Sequence, residues 1–462
     1  MIYSFISFII LLVSIKLFQM NIGGLSLLRL NMVSWIFYYN LIAQSFISSI
    51  LVINHLDNHY LISKVGEEAR IKGWLSIQYV MIMLPLAMLL INKITGYCAD
   101  FRLRRYLKTK ITFRTIESDI YMRYVLYFLS ILSVGAVVYT FVNLEQIPLI
   151  GLIQGRGAYE LALLRQEASN NFIGNEYIRN IFALALTPIM SYVAFVYYFI
   201  TKSKKDFVWF LSLFVSSLLI LTYDLSKGPI IHFFIGFIIC NILLKGKISR
   251  KVFATAVISV LALIVCLYIS VAKVNNIYTL FNYNTGLVGR LILSQSAGTY
   301  LVYEYFPSKH EHIGFSSFSR QISNLLESNY EQRAAKSLMT YVNPSGVEKG
   351  TAGVVNSLFV AEAWANWGLW GVLISPLIVG MVIQILFLFF LTHKKTPFMV
   401  GLFSYFSINL PVTGGINDFI YNAVLFIILL LLFIAFLFAR ALRERRLKYR
   451  ENGISSPIAV RL

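Results

Sequence analysis

Long apolar runs dominate this chain and leave it few alternative folds. A bilayer-spanning helix needs roughly 20 mostly apolar residues. Eleven stretches approach or exceed that length: 2–18, 32–54, 74–92, 121–143, 181–200, 207–223, 229–244, 252–272, 367–391, 397–411 and 420–439. The residues are 58% hydrophobic and 13% charged, with a mean hydropathy of +0.71. Soluble domains carry about 25% charged residues. The expectation is one all-α integral membrane domain over residues 1–462 with about eleven transmembrane helices.

The charges between the runs give a direction. With the N-terminus outside and the connections alternating, 26 of the 40 Lys and Arg fall inside, against 6 of the 21 acidic residues. The inside then carries +20 and the outside −1, although the formal net charge is only +19. Lys and Arg collect in cytoplasmic loops of membrane proteins, so an outside N-terminus and a cytoplasmic C-terminus in the cytoplasmic membrane are expected. Basic residues spread over short turns form no groove for nucleic acid. The tail "ARALRERRLKYRENG", within the basic segment 440–462, suits an anionic lipid surface. Residues 1–18 lack a basic n-region and a small-residue cleavage site, so they read as a retained span. Cys98, Cys240 and Cys266 are scattered and suggest neither a disulfide framework nor a metal site.

Three outside connections are long: 55–73, 144–180 and 273–366. Loops of such length are usually functional or disordered, and these keep aromatic and branched residues throughout. "SSFSRQISNLLESNYEQRAAKSLMTYV" has apolar positions at helical spacing, Ile322, Leu325 and Leu326, behind serine caps. "GRGAYELALLRQEASNNF" carries a helix-prone stretch behind a glycine-flanked turn. Two large extracytoplasmic loops, 144–180 and 273–366, are expected to bear short interfacial helices that roof the core.

Candidate chemistry sits in those loops. "YDLSKGPIIHFF" puts Lys227 at a helix start, where its charge opposes the macrodipole; a bound anion or a pairing with Asp224 would relieve it. Arg290 and Glu304 share one largely apolar stretch, and Glu362 enters another with Asn366 on the same helical face. Charges in such surroundings face a polar cavity or a partner. Trp364, Trp367 and Trp370 place Glu362 near headgroup level; a buried structural glutamate is the alternative. His310 and His312 form an H-x-H pair without a further ligand at metal spacing, and no phosphate-loop, zincin or nucleophile-elbow motif occurs. No metal and no cofactor are expected.

The segments "QIPLIGLIQGRGAYE", "DLSKGPII", "GRLILSQSAGTYLVYEYFP" with "IGFSS" after it, and "VAEAWANWGLWG" stand in this order over roughly residues 140–390. In that order the chain resembles the bacterial oligosaccharide repeat-unit polymerases, the O-antigen polymerases of the Wzy type. The resemblance implies a GT-C-like membrane fold that joins repeat units carried on undecaprenyl pyrophosphate, outside the cytoplasmic membrane, into O-antigen or capsule. It implies no nucleotide sugar, and a separate chain-length co-polymerase as a partner beside the bilayer.

Departure of a lipid pyrophosphate builds negative charge, which preorganised cations stabilise. Arg165 and Arg290 are the catalytic candidates, with Arg156, Lys227, Arg320 and Asn366 as pyrophosphate- or glycan-binding groups. Glu304 or Glu362 would take the proton of the acceptor hydroxyl. An O-antigen ligase and a polysaccharide flippase or transporter are the rival readings. A transporter would show internal repeats and midplane charges; here the candidate charges lie at the outer surface.

Overall fold

The structure is a computed structural model that describes residues 2–111, 116–272, 281–284, 286–326 and 329–451. Among the described residues there are helices and no strand. In chain order the helices are α1 (Ile2–Ile22), α2 (Met32–Ile53), α3 (Glu67–Ile94), α4 (Ala99–Lys108), α5 (Ile116–Val142), α6 (Pro148–Ile153) and α7 (Ala158–Asn170). Then come α8 (Ile178–Thr201), α9 (Lys204–Leu221), α10 (Lys227–Lys245), α11 (Arg250–Ala272), α12 (Leu287–Tyr305) and α13 (Arg320–Leu325). The last are α14 (Ala334–Val342), α15 (Pro344–Glu348), α16 (Phe359–Thr392), α17 (Pro397–Asn409), α18 (Asn417–Ile420) and α19 (Ala423–Glu451).

Among the described residues, eight helical segments are long and apolar enough to cross a membrane: those of α1, α2, α3, α5, α8, α10, α16 and the stretch Asn417–Leu442. This is an all-α polytopic membrane protein. The remaining three expected spans coincide with α9, α11 and α17. At 13 residues α17 reaches about 20 Å, short of the ~30 Å hydrocarbon core. It is instead wedged inside, with Val400, Phe403, Ser404, Phe406 and Ser407 buried.

Inside a bilayer every backbone polar group needs a protein partner, and the contacts of α3 follow that rule. Pro85 has no N–H to offer the carbonyl of Met81, four residues earlier. Ser14 of α1 donates to that carbonyl at 2.7 Å. The amide of Asn21 donates to the Pro85 carbonyl at 2.9 Å, Asn92 donates to Asn21 at 3.0 Å, and Gln384 of α16 donates to Asn92 at 2.6 Å. Buried amides thus tie α1, α3 and α16 together, an interhelical use of polar side chains.

The connections sort to two ends. At one, the turns near 23–31, 95–110, 246–249 and 393–396 meet: Ile248 N–H donates to Leu28 O at 3.2 Å, and Lys395 Nζ donates to Tyr106 O and Thr109 O at 3.1 and 2.9 Å. These turns hold many of the chain's basic residues. At the other end, the segments 54–66, 143–177, 222–226, 281–284, 286–326, 329–358 and 410–422 build a cap. Residues 273–280, the terminal part of the tail (452–462) and Arg114 lie outside the described residues.

Two details of the cap differ from expectation. Helix α12 is more than an interfacial helix. It runs along the 54–66 loop, with Asn58 N–H to Asn284 at 2.7 Å at one end and Gly66 N–H to Glu304 at 3.0 Å at the other. Its middle, Leu293 to Val302, is largely buried. Helix α16 starts eight residues before the expected span and bends at Trp367 and Gly368. Gly368 has a φ of +57°, a conformation that side chains disfavour. The span expected from residue 367 therefore begins at the bend, and the turns before it, with Glu362 and Asn366, belong to the cap.

Candidate functional site

Two polar clusters form in the cap. The first is cationic. On α7, Arg165 donates through Nε to the carbonyl of Asp224 at 2.8 Å. The Asp224 carboxylate accepts from Ser226 N–H at 2.9 Å and Ser226 Oγ at 2.6 Å, and Leu225 takes a φ of +55°. That tight turn delivers Lys227 as the first residue of α10. The charges of Arg290, on the first turn of α12, and of Arg165 both act on Lys227. Two arginines expected from sequence, on separate segments, are thus near enough for their charges to act on Lys227. Arg179 fastens the far end of α7, donating to Ala168 O and Ser169 O at 3.0 and 3.2 Å with its guanidinium 4.7 Å over the Phe172 ring.

The second cluster is an ion-pair clamp. Arg333 Nε and Nη2 bind Glu362 Oε1 and Oε2 at 2.7 and 3.0 Å. Its Nη1 and Nη2 bind Asp418 Oδ1 and Oδ2 at 3.0 and 2.9 Å. Burial works against the Arg333 charge, but the bonds and fields of Glu362 and Asp418 outweigh it and hold its pKa above the ordinary arginine range. Glu362 is buried and also accepts Asn417 N–H at 3.0 Å. A Cβ at residue 415 would overlap the Glu362 carboxylate, so only glycine lets that loop close over it. Asn366 donates to Asn417 Oδ1 at 2.9 Å, and Asn417 donates to Ser317 Oγ at 3.0 Å. Asn366 and Glu362 therefore share one network.

The other expected residues lie apart from these clusters. Glu304 sits 14 residues beyond Arg290 on α12, about 21 Å away along the axis, where its carboxylate receives the Gly66 N–H ahead of α3. Arg156 precedes α7 and donates to Gln146 at 2.7 Å. Arg320 begins α13, capped by Ser319 accepting from Ile322 N–H at 3.2 Å; its side chain lies outside the described residues. His310 is 3.6 Å from Glu331, and His312 meets Ala365 O at 3.3 Å. Among the described residues no group of three His, Cys, Asp or Glu is placed to hold a metal.

Several groups escape a linear reading. Arg333 looks like one more loop arginine, and Asp418 falls in a brief connection between two spans. The only local signal is "GGIND", two glycines permitting close approach before an acid. Arg70 is buried and pairs with Asp57 at 2.6 Å while donating to Val52, Val65 and Ile62 carbonyls, which shapes the 54–66 loop. In that loop His59 Nε2 lies 2.9 Å from Ser294 Oγ of α12.

Along the bend of α16 opens an apolar groove of about 630 Å³, lined by Trp367, Trp370, Ile374, Ile378, Ile416 and Ile420. Ligand sites occupy roughly 300–1,000 Å³. Trp370 and Ile374 remain exposed on the flank of a spanning helix, where lipid chains are the surrounding medium.

Fold and site define a polytopic all-α membrane protein whose bundle is closed at one end by a cap with a cationic cluster and an ion-pair clamp. The chain matches no protein-family model, no curated protein and no solved structure.

Proposed function

We propose that the protein is a membrane glycosyltransferase that polymerises undecaprenyl-pyrophosphate-linked oligosaccharide repeat units into surface polysaccharide on the outer side of the cytoplasmic membrane. The observation that carries this reading is the convergence of Arg165, Lys227 and Arg290 from three segments of the cap. An anion that enters among three cations is attracted to each of them. The departing lipid pyrophosphate is such an anion. An acceptor hydroxyl attacks the anomeric carbon of the donor, the bond from that carbon to the pyrophosphate breaks, and the electron pair leaves with the phosphate. Preorganised Arg and Lys groups stabilise charge developing there.

The apolar groove beside the bend of α16 supports a lipid-borne substrate, since it offers hydrocarbon a place at the edge of the cap. In this reading Arg156 and Arg320 extend the anion- and glycan-binding surface. Glu362 and Asn366 hold the clamp that shapes it. The cap is the extracytoplasmic face, eleven helical segments make up a GT-C-like membrane domain, and the basic turns face the cytoplasm.

The test is a reconstituted reaction with purified protein in liposomes and purified lipid-linked repeat units. A ladder of products of increasing length is expected. In cells, deletion is expected to leave single repeat units on the surface; loss of the ability to attach finished polymer would indicate a ligase, and single units trapped in the cytoplasm a transporter.

A further inference from the structure

We infer that Asp224 is a positioning residue of the cationic cluster: its main-chain carbonyl aims the Arg165 guanidinium, while its carboxylate fixes the turn that delivers Lys227. The inference rests on the proposed transferase function. It gives Asp224 a different part from the ion-pair partner of Lys227 that the sequence suggests.

The turn between α9 and α10 is built around Asp224. Leu225 N–H donates to Thr222 O at 3.0 Å. Oδ1 and Oδ2 of Asp224 accept from Ser226 N–H and Ser226 Oγ at 2.9 and 2.6 Å. An aspartate bonded to the backbone two residues on closes a turn with its own side chain. Leu225 takes a φ of +55°, which side chains disfavour, and burial of its isobutyl group offsets that cost. The chain leaves this turn in one direction, with Lys227 as the first residue of α10.

Arg165 meets the turn from α7. Its Nε donates to the Asp224 carbonyl at 2.8 Å, so a neutral acceptor holds the guanidinium. A carboxylate in that place would pair with the arginine and offset the charge that attracts an anion. Asp224 turns its carboxylate to Ser226 instead. Among the described residues Arg165 makes no ion pair. A guanidinium held at Nε keeps its two Nη groups, a planar fork that suits two phosphate oxygens.

A second contact keeps α7 against the same turn. The Arg179 guanidinium lies 5.8 Å from the centre of the buried Tyr223 ring and donates to Ala168 O and Ser169 O at the end of α7. Arg165 and Lys227 are therefore tied to one turn by hydrogen bonds and by three residues of chain. A shift of about 1 Å in a positioned group can cost about 10²-fold in rate.

The experiment follows polyprenyl pyrophosphate released in single turnovers by the purified full-length protein in liposomes. It compares wild type, Arg165→Ala, Asp224→Ala, Asp224→Asn and the double variant Arg165→Ala with Asp224→Ala. Asp224→Ala is expected to lose about 10²-fold. Asp224→Asn is expected to keep most of the wild-type rate, because its amide oxygen still accepts from Ser226 N–H. In the Arg165→Ala background, Asp224→Ala is expected to cost no more than about twofold further, since a residue that acts through another is not additive with it. If Asp224→Ala does not fold, Ser226→Ala takes its place in the cycle, with a smaller loss that again vanishes once Arg165 is gone. A merely structural turn would give a further loss of about 10²-fold in the double variant, and that result overturns the positioning role. Full activity of Asp224→Ala overturns it too, as does an Asp224→Asn protein as slow as Asp224→Ala, and all three leave the transferase reading in place. A wild type that transfers nothing, under conditions where the lipid-linked units stay intact, removes the transferase reading and the positioning role with it.

Discussion

Arg333 holds Glu362 and Asp418 at once, through four hydrogen bonds of 2.7–3.0 Å that join the segment before α14, the first turn of α16 and the short helix α18. Removing one partner of a buried pair strands a charge and costs about 3–5 kcal/mol. Arg333 is partly exposed, so Arg333→Ala is expected to cost about 3 kcal/mol, the lower end of that range. Glu362→Gln keeps the volume and leaves Arg333 paired with Asp418, so it should cost about half as much. Thermal unfolding of the purified variants checks the order. A Glu362→Gln protein less stable than Arg333→Ala would contradict the clamp.

The cationic cluster predicts a different pattern, in rate rather than in stability. Losing one donor to a developing anion costs about 10²–10³-fold in turnover. Arg165→Ala and Arg290→Ala are each expected to lose that much with normal protein levels. Arg440→Ala is the control, because Arg440 lies exposed on the final helix, where it pairs with Glu444. Rates of transfer by the three variants, normalised to protein in the membrane, decide the matter.

How much of this was visible in the linear chain depends on distance along it. Apolar runs are local, so each expected span coincides with a helix, and the start at residue 367 falls at the bend of α16. Arg165, Lys227 and Arg290 were legible because each interrupts an apolar or glycine-marked stretch. The clamp was not, because Arg333 and Asp418 are 85 residues apart and each looks ordinary alone. His59 was hidden for the same reason: its partner Ser294 lies 235 residues away. Burial of α12 was also illegible, since the extended 352–358 segment covers it, with Leu358 N–H to Thr299 Oγ1 at 3.1 Å.

Sidedness has its own prediction. Cys98 is exposed beside the basic turns, and Cys240 is buried. In intact spheroplasts Cys98 is expected to resist an impermeant thiol reagent and to react once the membrane is permeabilised. Cysteines introduced at Glu167 and Gln332, both exposed in the cap, should react without permeabilisation when Cys98 is replaced by Ser. The reverse pattern would invert the topology.

Lys395 links the basic end to pH. It is buried with its ammonium on the Tyr106 and Thr109 carbonyls, and burial pushes its pKa down to about 8. The unfolded value is 10.5, so between pH 8 and 10.5 the unfolded chain binds more protons at this site than the folded one. Stability then rises with pH across that window. The unfolding midpoint of wild type, relative to Lys395→Met, is expected to climb between pH 8 and pH 10, and a flat difference would contradict it.

The central claim is that Arg165, Lys227 and Arg290 receive a departing lipid pyrophosphate. The most direct measurement follows polyprenyl pyrophosphate released by purified protein in liposomes, alongside the glycosidic bonds formed. One pyrophosphate lipid per bond is expected from wild type, with both falling together by about 10²-fold or more in Arg290→Ala. Bond formation without release of that lipid, or equal release by wild type and Arg290→Ala, would contradict the account.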